Sequence, residues 1–233
     1  MYYPFGFFDP TYILIIIGVI ITLIASSKMN STFRRYSKVR CHSGLTGSQA
    51  AQRILNQAGI YDVTVERVSG NLTDHYDPRS KTLRLSDATY GSDSISAIGV
   101  AAHECGHAIQ HKEEYAPLKI RGAMVPVVNL GSNLSWVFII AGVFLSMNQS
   151  LINVGILLFS LAVVFQLVTL PVEFNASGRA LKILGNTGIM YGEEVAQTRK
   201  VLSAAALTYV ASAAAAVLSL LRLLLIFGGG DRD

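Results

Sequence analysis

Charge and cysteine are scarce in this sequence, and each scarcity excludes something. Only 15% of the 233 residues are charged against 51% hydrophobic, and the mean hydropathy is positive. That is the composition of an integral membrane protein, not of a soluble domain of this length. The two cysteines, Cys41 and Cys105, fall in no CxxC or other paired spacing, so no disulfide framework is implied. No basic segment precedes the first apolar run, which argues for an uncleaved anchor and against a signal peptide. The net charge of +4 comes from basic residues beside apolar spans, without a stripe of interleaved aromatics, so nucleic acid is not expected as a partner. The spans themselves are nearly free of ionisable residues, which speaks against a transporter. There is no internal repeat and no long low-complexity tract.

What is present is apolar length. Residues 11–27, 124–147, 151–171 and about 202–227 are each long enough to cross a hydrocarbon layer of about 30 Å. Lys28, Arg34, Arg35, Lys38 and Arg40 follow the first run, and Arg179, Lys182, Arg199 and Lys200 follow the third. The positive-inside bias then puts the segments after these two runs in the cytoplasm and both termini outside. Pro126, Asn129, Ser132 and Asn133 would be costly against lipid and are expected to face protein or a wet cavity. Arg222 lies close enough to the end of the last run to snorkel or to meet a buried partner, and the Ala-rich stretch 211–216 permits close helix packing. The expected division is an N-terminal transmembrane anchor (1–27), a cytoplasmic unit (28–123), a transmembrane hairpin (124–171), a second cytoplasmic segment (172–200) and a C-terminal transmembrane helix with its tail (201–233). The fold class expected is a mainly α-helical membrane protein with four transmembrane helices and a small cytoplasmic α+β unit.

From about residue 43 to 121 the composition is that of soluble protein. Thr46 heads an expected helix, with Ala50, Ala51, Ile54, Leu55 and Ala58 at helical spacing and Gly59 as its stop. Val63, Val65 and Val68 suggest one strand and the alternation over residues 81–86 another, with the turn-rich segment Asp74-His75-Tyr76-Asp77-Pro78 between them. A helix over about residues 93–113 follows and carries His103-Glu104-Cys105-Gly106-His107. This is an HExxH motif. Its two imidazoles, at i and i+4, share one helix face at the spacing a single Zn2+ needs, and Glu104 lies where a carboxylate can take a proton from zinc-bound water. The competing reading is a chance match on a solvated helix, since the pattern fixes only three residues. Ala101, Ala102 and Gly106 keep the helix slim for close packing, which a solvated helix would not require. Cys105 points away from the ligand face and is expected to be packed.

Two histidines leave a catalytic zinc one protein ligand short. His111 shares their face but lies about 12 Å along the axis from His103, out of reach of the same ion on an unbroken helix. Glu173 lies just past Pro171, where the chain leaves the third span and a new helix is expected to open. It can be the third ligand, or a helix-start carboxylate favoured by the dipole.

The stretch 103–111, Ser43-Gly44-Leu45-Thr46-Gly47, the run 74–80, and Leu170-Pro171-Val172-Glu173-Phe174-Asn175-Ala176-Ser177 together resemble the bacterial YugP family of membrane zinc metallopeptidases over nearly the whole chain. More distantly the chain is similar to the HtpX and CAAX prenyl protease group, in which a HExxH helix and a later Glu in a Glu-x-x-x-Asp segment bind zinc beside transmembrane helices. Here the Asp position is Ser177. The resemblance implies a zincin-like cytoplasmic unit, Zn2+ as cofactor, His103, His107 and Glu173 as its ligands, and Glu104 as the base in hydrolysis of peptide bonds. His75, Tyr76 and Tyr191 can each donate to an oxyanion, and His75, in the most polar loop, is the one expected to. The expected partners are the bilayer, protein or peptide substrates including membrane proteins, and accessory membrane proteins. The alternative is a non-proteolytic zinc-binding scaffold or regulatory subunit. Glu104 speaks against it, because a structural site takes four ligands and needs no base.

Overall fold

A computed structural model describes residues 9–228; the chain's first eight residues and the expected tail beyond 228 lie outside them. The described elements are α1 (Tyr12–Tyr36), α2 (Gly47–Gln57), β1 (Thr64–Val68), β2 (His75–Asp77), β3 (Thr82–Ser86), α3 (Asp87–Tyr90), α4 (Ile95–Lys112), α5 (Ala116–Phe144), α6 (Gln149–Asn186) and α7 (Glu193–Phe227). The structure is mainly helical, and α1, α5, α6 and α7 are long and apolar enough to cross a membrane. By its internal contacts the chain divides into an apolar unit (Met1–Ser26, Ile120–Leu170, Thr208–Asp233) and a mixed α/β unit (Ser27–Lys119, Pro171–Leu207).

In the apolar unit the helices meet through small residues. A Cβ built on Gly155 would lie 2.8 Å from the Ser135 carbonyl oxygen, so only glycine lets α5 and α6 approach this closely. Gly18 lies against Ala215 of the Ala-rich stretch less tightly: a Cβ built on it would lie 3.3 Å from Ala215 Cα and Cβ. Arg222 has the buried partner that was one of its two expected fates. Its guanidinium lies 3.4 Å from Asp9 and 4.2 Å from the Tyr12 ring centre. Asn129 and Asn133 are exposed on α5 and so do not face protein within the described residues; the Asn133 amide donates back to the Asn129 carbonyl at 3.1 Å, which gives that side chain a partner on its own helix.

The mixed unit is built as water-soluble domains are. Thr46 caps α2 with a capping box: its hydroxyl accepts from the Gln49 backbone N–H and the Gln49 side chain accepts from the Thr46 N–H. Gly59, at φ +66°, stops the helix. The sheet order is β1-β3-β2, with β1 parallel and β2 antiparallel to β3. Strand β2 falls inside the segment expected to be only turns. Three residues between Asp74 and Pro78 suffice because β3, a well-formed strand, supplies the pairing partner. Ile54 and Leu55 of α2, Leu83 and Leu85 of β3, and Ile95 and Ile98 of α4 are fully buried in one core.

Helix α4 is launched by a short pairing of residues 39–41 with 93–95, in which Cys41 N–H donates to Asp93 and Ile95 N–H to Val39. Ser94 caps it by accepting from the Ala97 N–H. Helix α6 departs from expectation at Pro171, which does not end it. The proline removes one N–H bond to Leu167, but the helix runs on to Asn186, so Glu173 stands inside a helix and not at the start of one.

Candidate metal centre

Fifteen of the eighteen residues of α4 are buried, and this burial explains why a helix with two histidines, a glutamate and a glycine at its middle is held so firmly. The close partner is α6. A Cβ on Gly106 would lie 2.6 Å from the carbonyl oxygen of Ala176, so the glycine inside HExxH is what lets the α6 backbone come up against α4. One turn earlier on α6 stands Glu173. Its carboxylate Oε2 is 3.2 Å from His103 Nε2 and 3.5 Å from His107 Nε2. Ligand-type atoms of the three side chains all lie within 4.8 Å of one another, and among the described residues this is the one group of its kind. The Glu173 side chain is 3% exposed, and those of His103 and His107 are 12% and 10% exposed.

A buried carboxylate facing two imidazole nitrogens is a cation trap. At His107, burial opposes the charged ring, yet the Glu173 hydrogen bond, the Glu104 and Glu173 charges and the Gln110 bond outweigh it, and the pKa is raised. The attraction that holds a proton there is available to a metal ion instead. The outer nitrogens are also engaged. His103 Nδ1 lies 3.1 Å from Ser177 Oγ, and His107 Nδ1 lies 3.0 Å from Gln110 Oε1. Ser177, the residue at the Asp position of the related motif, thus occupies the place where a carboxylate would orient the ring.

Residues 11–228 match the family described as "Putative neutral zinc metallopeptidase". The chain belongs to this family. It is 51% identical over 206 residues to the "Putative membrane protease YugP" of Bacillus subtilis (strain 168), covering 88% of this chain and 91% of that relative. No solved structure matches it. A buried His/His/Glu cluster, two nitrogens and one carboxylate oxygen, is a donor set that could hold a catalytic zinc.

Glu104, next to His103 on α4, is buried, with 8% of its surface exposed. His111 remains within an unbroken α4 and outside the cluster; its Nδ1 pairs with the Tyr76 hydroxyl at 2.9 Å. His75 is also outside the cluster. It is exposed on β2, its Nδ1 lies 2.9 Å from the Thr73 carbonyl, and strand alternation turns it to the face opposite Tyr76. Tyr191 is 61% exposed at the start of the turn before α7. Cys105 is fully buried with its Sγ against the Ala51 carbonyl, and burial, with Glu104 nearby, pushes its thiol pKa well up. The residues beside the cluster that sequence reasoning missed are Gln110 and Asn175. A signal existed for Gln110, which sits three residues after His107 on the same helix face. Asn175 carried none.

Proposed function

We propose that this protein is a membrane-embedded zinc endopeptidase that hydrolyses peptide bonds of membrane or membrane-associated proteins. The observation that carries this reading is the convergence of His103, His107 and Glu173, all within 4.8 Å, on a helix pair held together at Gly106. His103 and His107 would hold Zn2+ through Nε2, and Glu173 through its carboxylate. When bound there, Zn2+ supplies a Lewis acid that acidifies a water and polarises the peptide carbonyl. Glu104 would serve as the base, taking the proton of the attacking water and giving it to the leaving amine. Ser177 and Gln110 hold the two rings by their outer nitrogens. Burial of all three ligand side chains keeps competing water from them.

In this reading the mixed unit is zincin-like and cytoplasmic, with α4 below a small sheet whose edge strands are available to an extended substrate. The basic residues from Lys28 to Arg40, at and beyond the C-terminal end of α1, and those from Arg179 to Lys200 support the cytoplasmic side. Segments 1–27, 124–171 and 201–233 anchor the unit in the membrane, and 28–123 and 172–200 build the site. His75 is our candidate for steadying the oxyanion. Because the Thr73 carbonyl takes the hydrogen on Nδ1, its Nε2 donates only as the imidazolium, and strand β2 must move to bring it in.

The test is metal analysis and peptide cleavage on the purified full chain. Glu104→Gln keeps zinc and loses hydrolysis by a factor of about 100 or more. His103→Ala, His107→Ala and Glu173→Ala lose both, while His111→Ala keeps its zinc. His75→Ala beside Tyr76→Phe assigns the oxyanion donor to whichever variant loses kcat. Wild-type protein that bound zinc but cleaved nothing, with Glu104→Gln indistinguishable from it, would turn the reading to a zinc-binding scaffold.

A further inference from the structure

Gln110 is fully buried, and its amide touches three groups on two helices. One end lies 2.8 Å from the Val172 carbonyl oxygen and 3.0 Å from Asn175 Oδ1; the other lies 3.0 Å from His107 Nδ1. Which end is nitrogen follows from chemistry alone. A backbone carbonyl can only accept, so the atom against Val172 is the Nε2 donor. Asn175 agrees independently, because the atom that Gln110 meets also receives Arg179 Nε at 2.6 Å, and a guanidinium can only donate. Arg179 is itself fixed by Glu113 at 2.6 Å, beside the end of α4. The polarity of the whole chain is therefore set from Arg179 through Asn175 and Gln110 to His107.

Its last link has a consequence at the metal centre. Gln110 presents oxygen to His107 Nδ1, so the ring's hydrogen sits on Nδ1 and the lone pair of the neutral ring is on Nε2. That lone pair faces Glu173 Oε2 across 3.5 Å, acceptor against acceptor, an arrangement that needs a cation between. Ser177 gives no such direction to His103, because a hydroxyl can accept or donate. Resting on the zinc reading above, we infer that Gln110 is a positioning residue: held by Val172 and Asn175 with its oxygen toward the ring, it commits His107 to the tautomer that binds metal through Nε2.

The experiment compares wild type with Gln110→Met and Gln110→Glu in the full-length, detergent-purified protein. Zinc affinity is read by chelator competition and geometry by the absorption spectrum of the Co2+-substituted form. Gln110→Met keeps the length and loses the acceptor, and is expected to bind zinc 10–100-fold more weakly with an altered Co2+ spectrum. Gln110→Glu keeps an acceptor for Nδ1–H and is expected to recover most of that affinity, although it cannot donate to Val172. Wild-type affinity in Gln110→Met would overturn the inference, and so would equal weakness of the two variants, which would mark Gln110 as helix packing only. Histidine 15N spectra of the zinc-loaded wild type decide the matter even where a variant fails to fold: His107 must carry hydrogen on Nδ1 and metal on Nε2, and the reverse would sink the claim. Failure of wild type to bind zinc at all would instead remove the metal reading, and this inference with it.

Discussion

The two units of the molecule use the same residues in opposite ways. In the apolar unit, Leu23 and Leu130 are 64% and 63% exposed, whereas in the mixed unit Leu55, Leu83 and Leu85 are fully buried. The hydrophobic effect drives apolar groups together only where the alternative is water. In the mixed unit it assembles one core from α2, β3 and α4. Against lipid tails, as apolar as leucine itself, it has nothing to act on, and association rests on close backbone approach at Gly18, Gly142 and Gly155. The outward leucines of one unit and the inward leucines of the other are the same rule applied in two solvents.

A leucine truncation in each unit gives the largest expected contrast. Leu85→Ala leaves a cavity in the mixed core and is expected to cost ~2–5 kcal/mol, whereas Leu23→Ala in bicelles loses only contacts with lipid and costs less than ~1 kcal/mol. Chemical unfolding of both variants checks it. Equal losses would mean that α1 buries Leu23 against protein, and the two-solvent account would fail.

Small-to-larger changes come next. Gly106→Ala drives a methyl into the Ala176 carbonyl of α6 and is expected to cost ~1–3 kcal/mol and to lower zinc occupancy together with stability. Gly18→Ala meets Ala215 at 3.3 Å, so the neighbour gives by a few tenths of an ångström, and the change is expected to shift stability by under ~1 kcal/mol with zinc unchanged. Zinc-to-protein ratio and thermal unfolding, measured on both, separate a site-forming contact from one that only packs helices.

The smallest expected effect is none at all. Burial raises the thiol pKa at Cys41 and at Cys105, so at pH 8 neither is a thiolate in the folded protein. Iodoacetamide at pH 8, followed by mass spectrometry, is expected to leave both unmodified until the protein is unfolded. Labelling of Cys105 in the native state would show that α4 parts from α2 and would weaken the picture of a rigid mixed core.

Much of this was legible without a structure, because it rests on local rules. Thr46 and Gln49 form a capping box by their spacing alone, Gly59 stops α2 because it tolerates positive φ, and the length of four apolar runs needs only the thickness of a bilayer. HExxH on an amply buried helix brings His103 and His107 to one face wherever that helix lies. The elements that escaped depend on partners distant in sequence. Strand β2 exists because β3 lies beside it, and three residues carry no period of their own. Pro171 looked like a stop because a proline costs a helix one bond, yet the turns on either side of it keep α6 whole.

The sequence by itself determined the membrane class, the helix that bears the motif, and which two nitrogens and which carboxylate are the candidates for ligands and base. Glu173 it could offer only as a candidate, since no local rule tells a ligand from a helix-start carboxylate. The tertiary structure brings α6 against the bare backbone of Gly106, which sets the carboxylate 3.2 Å from His103 and inside a helix, the placement on which the ligand reading rests. It also supplied the partners of Gln110, whose amide has no set direction until Val172 and Asn175 arrive from another helix to fix which end is oxygen. Hydrogen bonds between helices depend on distances that no periodicity encodes, and that is the physical reason these two residues had to wait for the fold.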